Sequence, residues 1–370
     1  HLVLPPVIYA APGLEANIYF DNVTLMINPD NVAFDVTCVK GAQQHERWTF
    51  TPKPEDAGSY PLTLEIRDQQ NTIIARAKTL IHVVPPDAGA GQKITMLIIG
   101  DSLTAASVYP RHLLDLLKTG DNPSVTLVGS HGPGGKPGEV RHEGYGGWTA
   151  AAFATRYTGV ARAGDRKDRG SPFLYKEGEA QPKLDFAKYC AELNNGQPPD
   201  VVTIFLGCND TFNSTDEDVD KRIDDMFKHY DTLVAMIHGL SKNTAIGAFL
   251  PVPPAASQDA FGANYQCGQT RWQYKRNQTR LVERMIERYG GREKENLWLV
   301  PVNVNLDCQR NYPRTTALWN SRSAEKGVRL SNGVHPAAEG YRQIGDSLCA
   351  WLKAVLAQRQ PPAPAAQPAK

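Results

Sequence analysis

The stretch KITMLIIGDSLTAA, residues 93–106, decides the fold. Five of the seven residues from Ile94 to Gly100 are large and apolar, and the run closes on a glycine followed at once by Asp101 and Ser102. That is the pattern of a strand buried on both faces that ends in a turn before a helix. Ser102 then stands at the carboxyl edge of a sheet, where open α/β folds place their sites. The letters GDSL recur at 345–348, but there Tyr341, Ile344, Leu348, Leu352 and Val355 repeat at helical spacing. Ser347 therefore reads as an ordinary residue of an amphipathic helix.

Working outward, the chain alternates apolar strands, SVTLVGS (124–130), DVVTIFLG (200–207), NTAIGAFLPV (243–252) and LWLVPV (297–302), with longer amphipathic segments. This alternation predicts a parallel sheet covered by helices on both sides. Before it, residues 1–84 carry short runs of period two separated by Asn, Asp, Pro and Gly, the signature of a small all-β sandwich. The expected division is a β-sandwich domain over 1–84, a linker PPDAGAGQ over 85–92 with nothing to bury, an α/β domain over 93–356, and a disordered Pro/Ala tail over 357–370.

The 370 residues include 40 basic and 39 acidic side chains, which leaves no electrostatic footprint for nucleic acid or an anionic membrane. No apolar run reaches the roughly 20 residues that span a bilayer. The six cysteines show no C-x-x-C spacing; Cys267 and Cys308 sit in loop-like sequence and are the expected disulfide, which would favour an exported, secreted or periplasmic protein. Neither HERW (45–48) nor HEGY (142–145) extends to H-E-x-x-H, and HGPGGKPG misses the phosphate-loop spacings, so no metal and no organic cofactor is expected.

A serine hydroxyl is a weak nucleophile until a positioned base takes its proton. His335, in SNGVHPAAEGY, follows a turn and precedes a helix opened by Pro336, which places it at a loop-to-helix corner after the last strand. Acyl transfer also needs N–H donors aimed at the developing oxyanion. HEGYGGWT (142–149) follows the second strand with glycines that allow close backbone approach, and LGCNDT (206–211) sets the Asn209 amide just past the third.

Taken in order, GDSLT (100–104), GGWT (146–149), GCND (207–210) and NGVHP (332–336) resemble the four blocks of the SGNH (GDSL) hydrolases, over residues 93 to about 356. The resemblance implies a flavodoxin-like three-layer α/β/α sandwich with a parallel sheet. It implies Ser102 as nucleophile, His335 as base, and an oxyanion hole of the Ser102 and Gly147 backbone N–H groups and the Asn209 amide. One position departs from the pattern: the family's last block reads D-x-x-H, whereas this chain has Asn332 there. An amide can accept the imidazole proton but carries no charge to stabilise an imidazolium. The alternatives are a triad with Asn332, a Ser–His dyad backed by a carbonyl or another acid, and a weakened enzyme.

The implied reaction is ester hydrolysis through an acyl-enzyme. Aromatic and polar residues in the site loops, with Tyr145, Trp148, Arg271 and Trp272 as the candidate substrate contacts, suit sugars, whose CH faces stack and whose hydroxyls need partners. A β-sandwich ahead of such a domain resembles bacterial carbohydrate esterases that remove acetyl groups, so the expected partner is an acetylated polysaccharide or oligosaccharide. Alternatives are an arylesterase, lipase-like enzyme or thioesterase of the same family, and a catalytically weakened carbohydrate-binding protein. The oligomeric state is not legible.

Overall fold

The structure, a computed structural model, describes residues 1–133, 139–159 and 169–359. From residue 360 onward the expected Pro/Ala tail lies outside the described residues, as does most of HGPGGKPG.

The amino-terminal region holds β1 (Val7–Ala10), β2 (Ala16–Tyr19), the single turn α1 (Phe20–Val23), β3 (Ala33–Thr37), β4 (Ala42–Gln43), β5 (Arg47–Phe50), β6 (Gly58–Arg67) and β7 (Ile73–Val83). They form a four-stranded sheet in the order β1-β7-β6-β3 and a three-stranded sheet in the order β2-β5-β4. Period-two burial along β6 sends Leu62, Leu64 and Ile66 inward, where the first two pack with Ile18, Trp48, Ile81 and Val83.

The α/β region begins with β8 (Lys93–Gly100), α2 (Ser102–Ala105), α3 (Val108–Leu117), β9 (Ser124–Val128), β10 (Glu143–Gly144), α4 (Ala150–Thr155), β11 (Leu174–Tyr175), β12 (Lys183–Leu184) and α5 (Phe186–Leu193). It continues with β13 (Val201–Phe205), α6 (Val219–Leu240), β14 (Ala245–Phe249), α7 (Gln258–Tyr265), α8 (Arg271–Tyr289), β15 (Leu297–Val300), β16 (Arg314–Leu318), β17 (Lys326–Leu330) and α9 (Ala338–Gln358). The five strands read from the sequence all form, and all pair in parallel. β9 and the short β10 lie successively on one side of β8, and β13, β14 and β15 follow on the other. The order 2-1-3-4-5 puts the switch point between β8 and β13, the place beyond the strand ends where folds of this order bind ligands. Tyr109 and Leu113 of α3 pack with Ile344, Leu348 and Leu352 of α9 on one face of the sheet; α4, α5, α6 and α8 cover the other. Ser347 is a residue of α9, its hydroxyl donating to the Gln343 carbonyl one turn back.

Two expectations are corrected here. Residues 85–92 do not form a bare linker: Ala88 is buried with Ala350 and Ala354 of α9, and Lys353 Nζ donates to the Pro86 carbonyl at 2.8 Å. Small side chains that have little to bury alone still fill the shallow groove of an alanine-rich helix face. Cys267 and Cys308 are free thiols, the first exposed and the second buried, so the disulfide argument for an oxidising compartment falls away. Among the described residues no helix is long and apolar enough to cross a membrane.

The β region is joined to the α/β region by buried polar contacts. Asn17 donates its backbone and amide N–H groups to Asn305 Oδ1, both at 2.9 Å, and the Asn22 amide donates to the Asn303 and Leu306 carbonyls. Asp21 is shared by Arg271 Nη2 at 2.7 Å and by Lys275, whose side chain is only 2% exposed. Burial pushes the Lys275 ammonium below its ordinary pKa, and Asp21 opposes that shift. Removing one partner of a buried pair strands the other charge. Asp21→Ala is accordingly expected to cost about 2–3 kcal/mol in denaturant unfolding, with part recovered by adding Lys275→Met.

Candidate active site

Ser102 opens α2 directly after β8. Asp101 caps this short helix, its Oδ1 accepting from Leu103 N at 2.9 Å. The turn needs glycine before it, because a Cβ on Gly100 would lie 2.0 Å from the Thr104 hydroxyl. His335 arrives from the other end of the chain, and its Nε2 stands 2.8 Å from Ser102 Oγ. Burial holds the His335 imidazole below the ordinary value of 6.5, which favours the neutral form that can accept a proton.

The other two blocks meet the serine at the switch point. Tyr145, Gly146, Gly147 and Trp148 form a turn closed by Trp148 N donating to the Tyr145 carbonyl, with Gly147 at φ +78°. That left-handed conformation comes without strain only to glycine. Thr149 then caps α4. The Asn209 amide nitrogen donates to Asp101 Oδ2 at 3.2 Å and to the Trp148 carbonyl at 3.1 Å. Asn209 thereby ties the Gly147 turn to the serine turn, and it must share or exchange one of these two N–H bonds to serve an oxyanion.

Sequence reading missed the acids beneath this arrangement. Asp101 is 1% exposed and takes the Cys208 thiol at 2.9 Å as well as the Asn209 amide. Burial pushes its carboxyl up to about 6. Asp210 accepts from Ala150 N at 3.1 Å, so it holds the first turn of α4, and burial raises it to about 7. The capping logic of a short polar side chain before a helix was the available signal for Asp101.

Asn332 does not orient the imidazole. Its Oδ1 accepts from Val334 N at 3.0 Å and His335 N at 2.8 Å, an Asx turn that fixes the backbone carrying the histidine, and Gly333 N donates to Asn264 Oδ1. A side chain three residues before the ring finds nearby backbone N–H groups first. Among the described residues no hydrogen bond links Asn332 to the His335 ring.

Three of the four substrate contacts are also corrected. Tyr145 and Trp148 are 3% and 2% exposed and pack against each other and against Phe153 in tilted and edge-on contacts. The Tyr145 hydroxyl is spent on the buried Glu143 carboxylate, which also receives Ser130 and Tyr189. Arg271 is committed to Asp21 and, through Nε at 3.0 Å, to the Ala255 carbonyl; Ala255 N in turn donates to the Gly333 carbonyl beside Asn332. Trp272 is 38% exposed.

A second serine–histidine pair, Ser107 Oγ and His142 Nε2 at 2.8 Å, differs in its tautomer. His142 Nδ1 accepts from Gly144 N, so the neutral ring carries its proton on Nε2 and donates to Ser107. With burial pulling its pKa down to about 3, this ring is a structural donor and no base for Ser107. Among the described residues no cluster of His, Cys, Asp and Glu could hold a metal ion.

The model of the GDSL-like lipase/acylhydrolase family matches residues 98–343, about two thirds of the chain, and the chain belongs to that family, a class of carboxylic ester hydrolases. Its fold is similar to that of a family 3 carbohydrate esterase from Clostridium thermocellum, at 16% identity and TM-score 0.41, covering 72% of this chain and 98% of that one. It is also similar to a carbohydrate acetylesterase family member from Sinorhizobium meliloti (16%, 0.40, covering 71% and 99%). A possible lipase from Chitinophaga pinensis is similar at 15% identity and TM-score 0.37, covering 71% and 99%. No curated protein sequence matches the chain.

Two outcomes are expected. Because the base must be neutral and burial disfavours its imidazolium, the acid limb of kcat/KM should fall below pH 6.5, with activity lost as pH drops through the His335 value. Asn332→Asp, which keeps the Asx acceptor, should hold kcat within a few-fold, whereas Asn332→Ala frees two backbone donors and should lower kcat about tenfold in steady-state assays.

Proposed function

We propose that this protein is a serine esterase that removes short acyl groups, acetyl above all, from carbohydrate hydroxyls. The observation that carries the catalytic part is the 2.8 Å approach of His335 Nε2 to Ser102 Oγ at the switch point, beside the Gly147 turn and Asn209. In this reading Ser102 attacks the ester carbonyl while His335 takes its proton. The carbonyl oxygen, now negative, is met by the N–H groups of Ser102 and Gly147 and by the Asn209 amide. Collapse of the tetrahedral intermediate expels the sugar hydroxyl, which receives the proton from His335, and the acyl group stays on Ser102. Water, deprotonated by His335, then releases the acid and regenerates the serine. Asn332 contributes by fixing the backbone of His335, so the pair works as a dyad.

Support for a carbohydrate comes from two exposed aromatic side chains. Trp272 begins α8 beside Arg271, which is bonded into that loop's support. Trp319, 49% exposed, lies at the β16–β17 hairpin that leads into Ser331 and Asn332, its ring stacked by the Arg329 guanidinium at 5.1 Å. Such rings suit pyranose CH faces.

The amide at position 332 favours one other reading, a carbohydrate-binding protein with weakened catalysis. Turnover of p-nitrophenyl acetate separates the two. The esterase reading expects a measurable rate that Ser102→Ala lowers by about 10⁴ or more. A rate unchanged by that substitution would overturn the site, and acetate release across acetylated polysaccharides would name the substrate.

A further inference from the structure

A cavity of about 830 Å³ opens where the β region meets the α/β region, and none of its lining residues belongs to the four sequence blocks. We propose that it is an accessory saccharide-binding site that holds the polymer while the ester is presented to Ser102; the proposal rests on the carbohydrate-ester reading above.

The cavity has a rigid frame. Gln43 closes β4 onto the edge of β3, accepting from Val36 N and donating to the Phe34 carbonyl, both at 2.8 Å. On the far side Glu46 is held by Arg310 at 2.8 Å and Asp21 by Arg271 and Lys275. These two carboxylates are therefore neutralised within the wall. A preformed site loses less entropy when a ligand enters.

Its chemistry fits an uncharged polyol. Phe34 stacks on the buried Phe20 with ring centroids 4.6 Å apart and planes 15° apart, an apolar surface among hydrogen-bonding groups. Among the described residues, no hydrogen bond or ion pair occupies the side chains of Asp30, His45 or Gln309, all three in the lining. They offer a carboxylate acceptor, an imidazole and an amide that both donates and accepts, a set that meets paired sugar hydroxyls. Among the described residues, no lysine or arginine lines the cavity, so phosphate and other anions find no counter-charge from them there. The volume lies within the ordinary range of small-molecule sites, about 300–1,000 Å³. Gln309 comes from the segment after β15 and the remaining groups from the β region, so a ligand here touches both parts of the chain.

The test uses the full chain carrying Ser102→Ala, titrated calorimetrically with soluble acetylated xylan, acetylated glucomannan and their deacetylated forms. Saturable binding to at least one polymer is expected, weakened about tenfold by Asp30→Asn, His45→Ala and Gln309→Ala together. These side chains are exposed, and an unchanged melting temperature confirms that the combined variant folds. With Ser102 restored, the triple variant should raise KM for the bound polymer several-fold and leave p-nitrophenyl acetate turnover unchanged. Absence of polymer binding, or equal binding by parent and variant, overturns the proposal. If Ser102-dependent turnover of the small ester persists in that case, the esterase reading stands without the accessory site.

Discussion

One buried carboxylate gathers the site. Asp101 is almost wholly enclosed, yet it caps the helix that begins with Ser102 and accepts from both Cys208 and Asn209. Strand β8 delivers the serine and strand β13 delivers the asparagine; Asp101 fixes the distance between them. Asn209 then reaches the Trp148 carbonyl, and Asp210 the first turn of α4, so the Gly147 turn is referenced to the same carboxylate. Burying two acids so close together is costly, and their raised pKa values record it. Sites commonly carry such a cost because pre-aimed donors serve a developing charge better than groups that must reorganise.

The histidine is held by a longer chain of bonds that leaves the α/β region altogether. Asp21 grips Arg271, Arg271 holds the Ala255 carbonyl, and Ala255 N fastens Gly333, the residue after Asn332. The β region is thus part of the scaffold of the His335 corner. Buried Lys275 makes the attachment stringent, since only Asp21 supplies it a carboxylate partner among the described ion pairs.

Much of the fold was legible because burial writes itself into hydrophobic spacing. The run ending at Gly100 gave a strand, the repeat around Ser347 gave a helix, and the sheet order followed the ordinary rule for alternating elements. What spacing does not report is where polar groups spend their bonds. Tyr145 and Trp148 sit in a glycine-rich loop and read as exposed, yet Glu143 two residues earlier is buried and draws the Tyr145 hydroxyl inward. Arg271 read as a ligand contact because its partner, Asp21, lies 250 residues away. Asn332 read as a ring partner because family position was the only guide, while the nearer backbone N–H groups won.

The corner at 332–335 has a chemical consequence over time. Asn-Gly is a dipeptide prone to deamidation, in which the glycine nitrogen attacks the asparagine side-chain carbonyl carbon, ammonia leaves, and water opens the resulting succinimide to aspartate or isoaspartate. Here the Gly333 N–H is donated to Asn264, and Asn332 Oδ1 is pinned by two backbone donors. Both groups that the cyclisation needs are thus engaged in hydrogen bonds. The folded chain therefore guards its amide against ageing into an acid, and unfolding removes that protection.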